Sequence, residues 1–162
     1  YKRYLGEKAD GLSATGLLFP LELKEKGSLE ESKVRTILAV SEEEQSITFA
    51  GDIPEESHVT LMKANFDRLI DGASQAAEMV VLEGYSDEPL LSIAISCVGR
   101  RLVRKQRTED ELEVILESRP SQTKQIGFYS YGEISPLSSG SCDLHNQTMT
   151  LTLIWEADEP PA

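Results

Sequence analysis

Two strand ends in this chain carry side chains able to hold a small zwitterion. Ile95-Ser96-Cys97-Val98-Gly99-Arg100 reads as an apolar strand closing on Cys, Gly and Arg. Gly127-Phe128-Tyr129-Ser130-Tyr131-Gly132-Glu133-Ile134 reads as an aromatic strand closed by a Gly-Glu pair. A guanidinium offers a planar fork of donors to a carboxylate, and backbone N–H groups at a strand-to-helix turn can add to it. Arg100 therefore suits a ligand carboxylate and Glu133 a ligand amine. The two can equally serve as structural ion pairs, with each other or with neighbours. Tyr131 can offer a ring and a hydroxyl, whereas Phe128, on the other face of the strand, is expected in the core. Gly99 and Gly132 leave room for close backbone approach, and Gly132 is expected to have a positive φ or crowded surroundings. One helical segment separates the motifs, so the strand ends can meet, with His145 and Asn146 bounding the same pocket. The candidate ligand contacts are Cys97, Gly99, Arg100, Tyr131, Gly132, Glu133, His145 and Asn146.

Other chemistry is thinner. Cys142-Asp143-Leu144-His145 has the spacing of a metal-ligand pair, but a zinc site needs four ligands and only Cys97 and His58 remain as soft donors. Holding a loop by hydrogen bonds is the simpler role for His145 and Asn146. A Cys97/His145 dyad would make a hydrolase or transferase, yet nothing in the sequence brings the two together. There is neither a Gly-x-Ser-x-Gly elbow nor a phosphate-binding Gly-Lys-Ser/Thr loop. Five cations fall between Arg100 and Arg107. As a group they read as a solvated turn balancing Glu109, Asp110 and Glu111.

The net charge of −12 argues against nucleic-acid or anionic-membrane partners, which would repel the chain. No apolar run reaches the roughly 20 residues of a membrane-spanning helix. Two cysteines make no disulfide framework, so a reducing, cytoplasmic setting is expected. The chain opens on Tyr1 with no signal-peptide pattern, as a domain excised from a longer protein would.

The elements that must position these residues follow from periodicity. Tyr1 to Gly6 reads as a helix end stopped by Gly6, and 17–23 as a short extended segment. Val34 to Val40 alternates as one strand, Ser41 to Gln45 turns, and Ser46 to Ala50 returns as its hairpin partner. Val59 to Met62 gives another strand. Asn65 caps a helix with Phe66, Leu69, Ile70, Ala73, Ala77, Val80 and Val81 at helical spacing, ended by Gly84. Its small residues Gly72, Ala73, Ala76 and Ala77 allow close packing on a sheet. Pro89 to Val98 is a buried strand, and Thr108 with Glu111 forms a capping box for a helix over 109–118. A strand over 124–131, a Ser/Gly-rich loop over 135–146 and a last strand over 147–155 complete the order. In that strand Met149, Leu151, Leu153 and Trp155 share a face. This is an α+β domain, with a mixed, mostly antiparallel sheet and helices packed on one side, spanning 1–157 and followed by an acidic Pro-rich tail over 158–162.

The motifs, with Leu17-Leu18-Phe19-Pro20, Phe49-Ala50-Gly51-Asp52-Ile53-Pro54, Leu61-Met62-Lys63-Ala64-Asn65 and Leu144-His145-Asn146-Gln147-Thr148, resemble the C-terminal domain of the FIST family. Glu55-Glu56-Ser57 departs from the Glu-Gly-Ser turn associated with that family. The resemblance implies a non-enzymatic bacterial signal-input domain for small ligands such as amino acids. It also implies an N-terminal FIST partner domain, and signalling partners such as histidine kinases, diguanylate cyclases or methyl-accepting proteins. As the alternative, the resemblance implies a haem-based nitric-oxide sensor, for which His145 or His58 would be the axial ligand.

Overall fold

A computed structural model describes all residues except 13, 25, 28–31, 86, 137–139 and 157–162. The expected acidic tail at 158–162 thus lies outside the described residues. Among the described residues four α-helices, α1 (Lys2–Leu5), α2 (Phe66–Met79), α3 (Val98–Arg104) and α4 (Glu109–Glu117), and two 3-10 helices (Gly6–Gly11 and Ala14–Leu18) combine with ten strands. These are β1 (Leu21–Lys24), β2 (Lys33–Arg35), β3 (Ile37–Ser41), β4 (Ser46–Phe49), β5 (His58–Leu61), β6 (Leu91–Cys97), β7 (Lys124–Ser130), β8 (Glu133–Pro136), β9 (Cys142–His145) and β10 (Met149–Ile154). The α+β class stands. The single sheet expected is divided into four: β2-β1-β5, β10-β6-β7, and the hairpins β3-β4 and β8-β9.

The sheet that positions the site is β10-β6-β7, antiparallel on one side of β6 and parallel on the other. Alternation gives β6 two faces. Ala94 packs with Ala73, Ala77, Ile115 and Met149 in the core under α2 and α4, and Ser96 on the same face donates to Glu111. Ala73 and Ala77 of α2 are fully buried, so small side chains do let this helix lie close to the sheet. Gly127 is a close approach of a different kind. A Cβ there would lie 1.9 Å from the carbonyl oxygen of Ala94, its partner residue on β6.

Asn65 caps α2 by accepting from the Asp67 N–H at 2.9 Å. The helix stops at Met79 rather than near Gly84, because the Arg119 guanidinium takes the carbonyls of Ala77 and Val80 and satisfies the open helix end. The strand expected over 34–40 breaks into β2 and β3 at Thr36, whose N–H leaves the ladder for the Asn146 side chain. The Ser/Gly-rich loop overlaps the antiparallel pair β8-β9, and the basic turn after Cys97 is the helix α3. Thr108 makes no side-chain cap; Glu111 is drawn into the core instead. Phe128, expected in the core, is 60% exposed on the sheet face away from α2 and α4.

Candidate functional site

Parallel pairing of β6 and β7 sets their C-terminal ends side by side, with Cys97 opposite Ser130. The chain leaves β6 directly into α3 and leaves β7 at Tyr131, so the two motifs do converge. Between them and the N-terminal segment opens a cleft of about 290 Å³, lined mainly by apolar side chains that include Leu17, Ile37, Leu38, Val98 and Leu102. Cys97, Gly99 and Tyr131 line it as well, with Thr36 as a further polar side chain. Tyr131 is 88% exposed at its mouth. At Gly99 a Cβ would sit 3.2 Å from the Gln147 Cγ, so a side chain there would require Gln147 to shift.

The two charged candidates face inward, each onto partners of the protein itself. Arg100 is buried in α3 and donates through Nε to Glu111 at 2.6 Å and through Nη2 to the Leu69 carbonyl at 2.5 Å. Its Nη2 also pairs with Glu111, as does Nη2 of Arg104. Glu111 has no exposed surface, and Ser96 Oγ completes its shell at 3.0 Å. Glu133, buried at the start of β8, accepts from Ser130 Oγ at 2.5 Å and Thr148 Oγ1 at 2.7 Å. The carboxylate-clamp role expected for Arg100 thus meets a guanidinium already engaged by Glu111, and the amine role of Glu133 meets a carboxylate capped by two hydroxyls.

Asn146 and Gly132 do not line the cleft. Asn146 Oδ1 accepts from the Thr36 N–H at 3.2 Å, and its Nδ2 donates to the Ala50 carbonyl at 3.4 Å, tying two cleft-lining residues to the end of β9. Gly132 has no positive φ; crowding explains it, since a Cβ would lie 3.1 Å from Leu144 Cδ1 and 3.4 Å from the His145 carbonyl oxygen. His145 pairs with Glu133 across the β8-β9 hairpin, and its Nε2 is 3.3 Å from the Ser135 carbonyl oxygen.

Two residues here escaped the sequence reading. Glu111 matched a capping box, although Arg100 and Arg104 at i,i+4 were a legible sign of a charged helix face seeking an acid. Gln147 follows the His-Asn pair directly and donates through Nε2 to the Leu17 carbonyl at 3.1 Å and Thr36 Oγ1 at 3.2 Å.

Burial pushes the Cys97 thiol above its usual range, more than the backbone N–H groups of Gln147, Gly99 and Arg100 lower it; the nearby Glu133 carboxylate adds to the rise. A buried thiol held protonated is a poor nucleophile. The residues do not fit a haem held by histidine: His58 is exposed on β5, His145 is turned to Ser135, and neither lines the cleft. Cys142 and His145 stand three residues apart on one strand, so their side chains point to opposite faces. Among the described residues no cluster of three or more His, Cys, Asp or Glu could hold a metal. Nor is any described helix long and apolar enough to cross a membrane.

No curated protein and no solved structure matches the chain. The profile of the FIST C domain matches residues 1–136, from α1 through β8. The chain therefore belongs to the FIST C domain family, a family of sensory domains associated with signal transduction.

Proposed function

We propose that this domain is the ligand-binding input module of a signalling protein, and that its ligand occupies the cleft at the ends of β6 and β7. The observation that carries this is the convergence of Cys97, Gly99 and Tyr131, from two separate motifs, on one concave apolar surface of about 290 Å³. Concave, mostly apolar sites with a few polar groups are the common form of small-molecule pockets. Because Arg100 and Glu133 are engaged by internal partners, the best-suited ligand has an apolar body and a neutral polar group. Thr36 and Tyr131 are placed to meet that group. A free amino acid, with its ammonium and carboxylate, is therefore a poorer match than a neutral apolar analogue. The N-terminal FIST domain and a kinase or cyclase output domain fit the same role as partners.

A thermal-shift screen of the twenty amino acids beside their neutral apolar analogues tests this directly. A molecule that binds only the native state at 100 times its Kd stabilises it by about 2.7 kcal/mol. The reading requires that this shift vanish in Leu102→Asp, which places a charge on the cleft wall. Equal shifts in parent and variant, or none across the screen, would count against it.

A further inference from the structure

Gln147 stands between the cleft and the helix layer. On one side its Nε2 holds the Leu17 carbonyl at 3.1 Å and Thr36 Oγ1 at 3.2 Å, both on residues that line the cleft. On the other, its main-chain carbonyl accepts from Arg100 Nη1 at 3.4 Å. Arg100 continues to the Leu69 carbonyl of α2 and to Glu111 of α4. Helix α3 has the same two-sidedness: Val98, Gly99 and Leu102 line the cleft, while the Arg100 and Arg104 guanidinium groups reach Glu111.

The backbone of Gln147 sharpens this. It holds a φ of 55°, a left-handed conformation uncommon for a residue with a Cβ, and it is buried. Asn or Gly would adopt that conformation more easily. Asn is one methylene shorter, and Gly has no side chain, so neither reproduces the reach to Leu17 and Thr36. Strained residues persist where the surrounding contacts over-determine them.

We propose that Gln147 couples the cleft to the α2–α4 layer. Displacing Thr36 or Leu17 moves Gln147, and through Arg100 changes how firmly both helices are held. The coupling relies on the ligand reading only for what drives it; the linkage is a property of the unliganded protein.

Amide hydrogen exchange tests the linkage without a ligand. Thr36→Val removes the acceptor hydroxyl at the cleft wall and keeps its shape. In the parent background it should speed exchange of protected α2 and α4 amides at least about threefold relative to β1 and β5 amides of the same sample. In a Gln147→Asn background, where the connection is already cut, that excess should disappear. Gln147→Gly, which accepts the same backbone conformation, serves if the Asn variant does not fold. An equal helix response in both backgrounds, or none in the parent, overturns the coupling. A separate titration of parent and Leu102→Asp with 8-anilinonaphthalene-1-sulfonate, an anionic dye that fluoresces on apolar surfaces, reads the cleft itself. A dye signal equal in parent and Leu102→Asp would remove the ligand site and leave the exchange result standing.

Discussion

Glu111 is the residue whose replacement should cost this fold most for the smallest change in shape. Its carboxylate has no exposed surface and accepts from Arg100 Nε, Arg100 Nη2, Arg104 Nη2 and Ser96 Oγ. Glu111→Gln keeps the volume but removes the negative charge and turns an NH2 toward a guanidinium. Two buried cations, Arg100 at 4% and Arg104 at 1% exposure, then lose their counter-charge. Breaking a buried ion pair on one side costs about 3–5 kcal/mol, because the remaining charge stays desolvated. Domains are stable by about 5–15 kcal/mol, so the loss is a large part of the total. Urea unfolding followed by far-UV circular dichroism would read it as a fall in midpoint at unchanged slope. Glu113→Gln, on the exposed side of the same helix, should stay within about 0.5 kcal/mol, and Ser96→Ala should cost about 1 kcal/mol. A Glu111→Gln loss below about 1 kcal/mol would show that the cluster is solvated, and refute the reasoning from burial.

Three further outcomes follow from the same contacts. Gly127→Ala should cost at least the upper end of the usual 1–3 kcal/mol for overpacking, since the clash is with the Ala94 backbone and not a movable side chain; a parent-like melting curve would contradict it. The Asp143 carboxyl is held below its usual range, first by its hydrogen bond with Lys33, so its contribution is present above pH 4 and is lost as pH falls through the depressed value. The stability curves of parent and Asp143→Asn should therefore differ at neutral pH and approach each other as pH falls from about 4 through the depressed value, and a constant gap across that range would refute this. Iodoacetamide at pH 7.5, with peptide mapping, should label exposed Cys142 at least about tenfold faster than buried Cys97; a faster Cys97 would revive a Cys-based enzyme.

Periodicity and punctuation were enough to read α2 with its Asn65 cap, the β3-β4 hairpin, β6, β7 and the face shared by Met149, Leu151 and Leu153. What stayed hidden depends on contacts distant in sequence. The α2 terminus is set by Arg119, and the break at Thr36 by Asn146, neither of which leaves a local trace. The basic run from Arg100 to Arg107 looks solvated as a group, and only the fold brings Glu111 beneath Arg100 and Arg104. At the site, two strand-end motifs pointed to the same place, and parallel pairing puts them there. Which way their charges turn was not legible, because a side chain's partner depends on packing across elements. Glu56 adds a small instance: it holds a φ of 64°, where the Gly of a Glu-Gly-Ser turn would sit without strain.

The central claim is that the cleft at the ends of β6 and β7 receives the ligand, and amide chemical-shift mapping tests it most directly. The molecule giving the largest thermal shift would be titrated into the isotopically labelled protein. The account predicts that the perturbed amides cluster at Leu17, Thr36 to Leu38, Ala50, Cys97 to Leu102 and Tyr131, and that Leu102→Asp abolishes saturation. Perturbations centred instead on the exposed face of β7 at Ile126 and Phe128, with Leu102→Asp binding as the parent does, would contradict it.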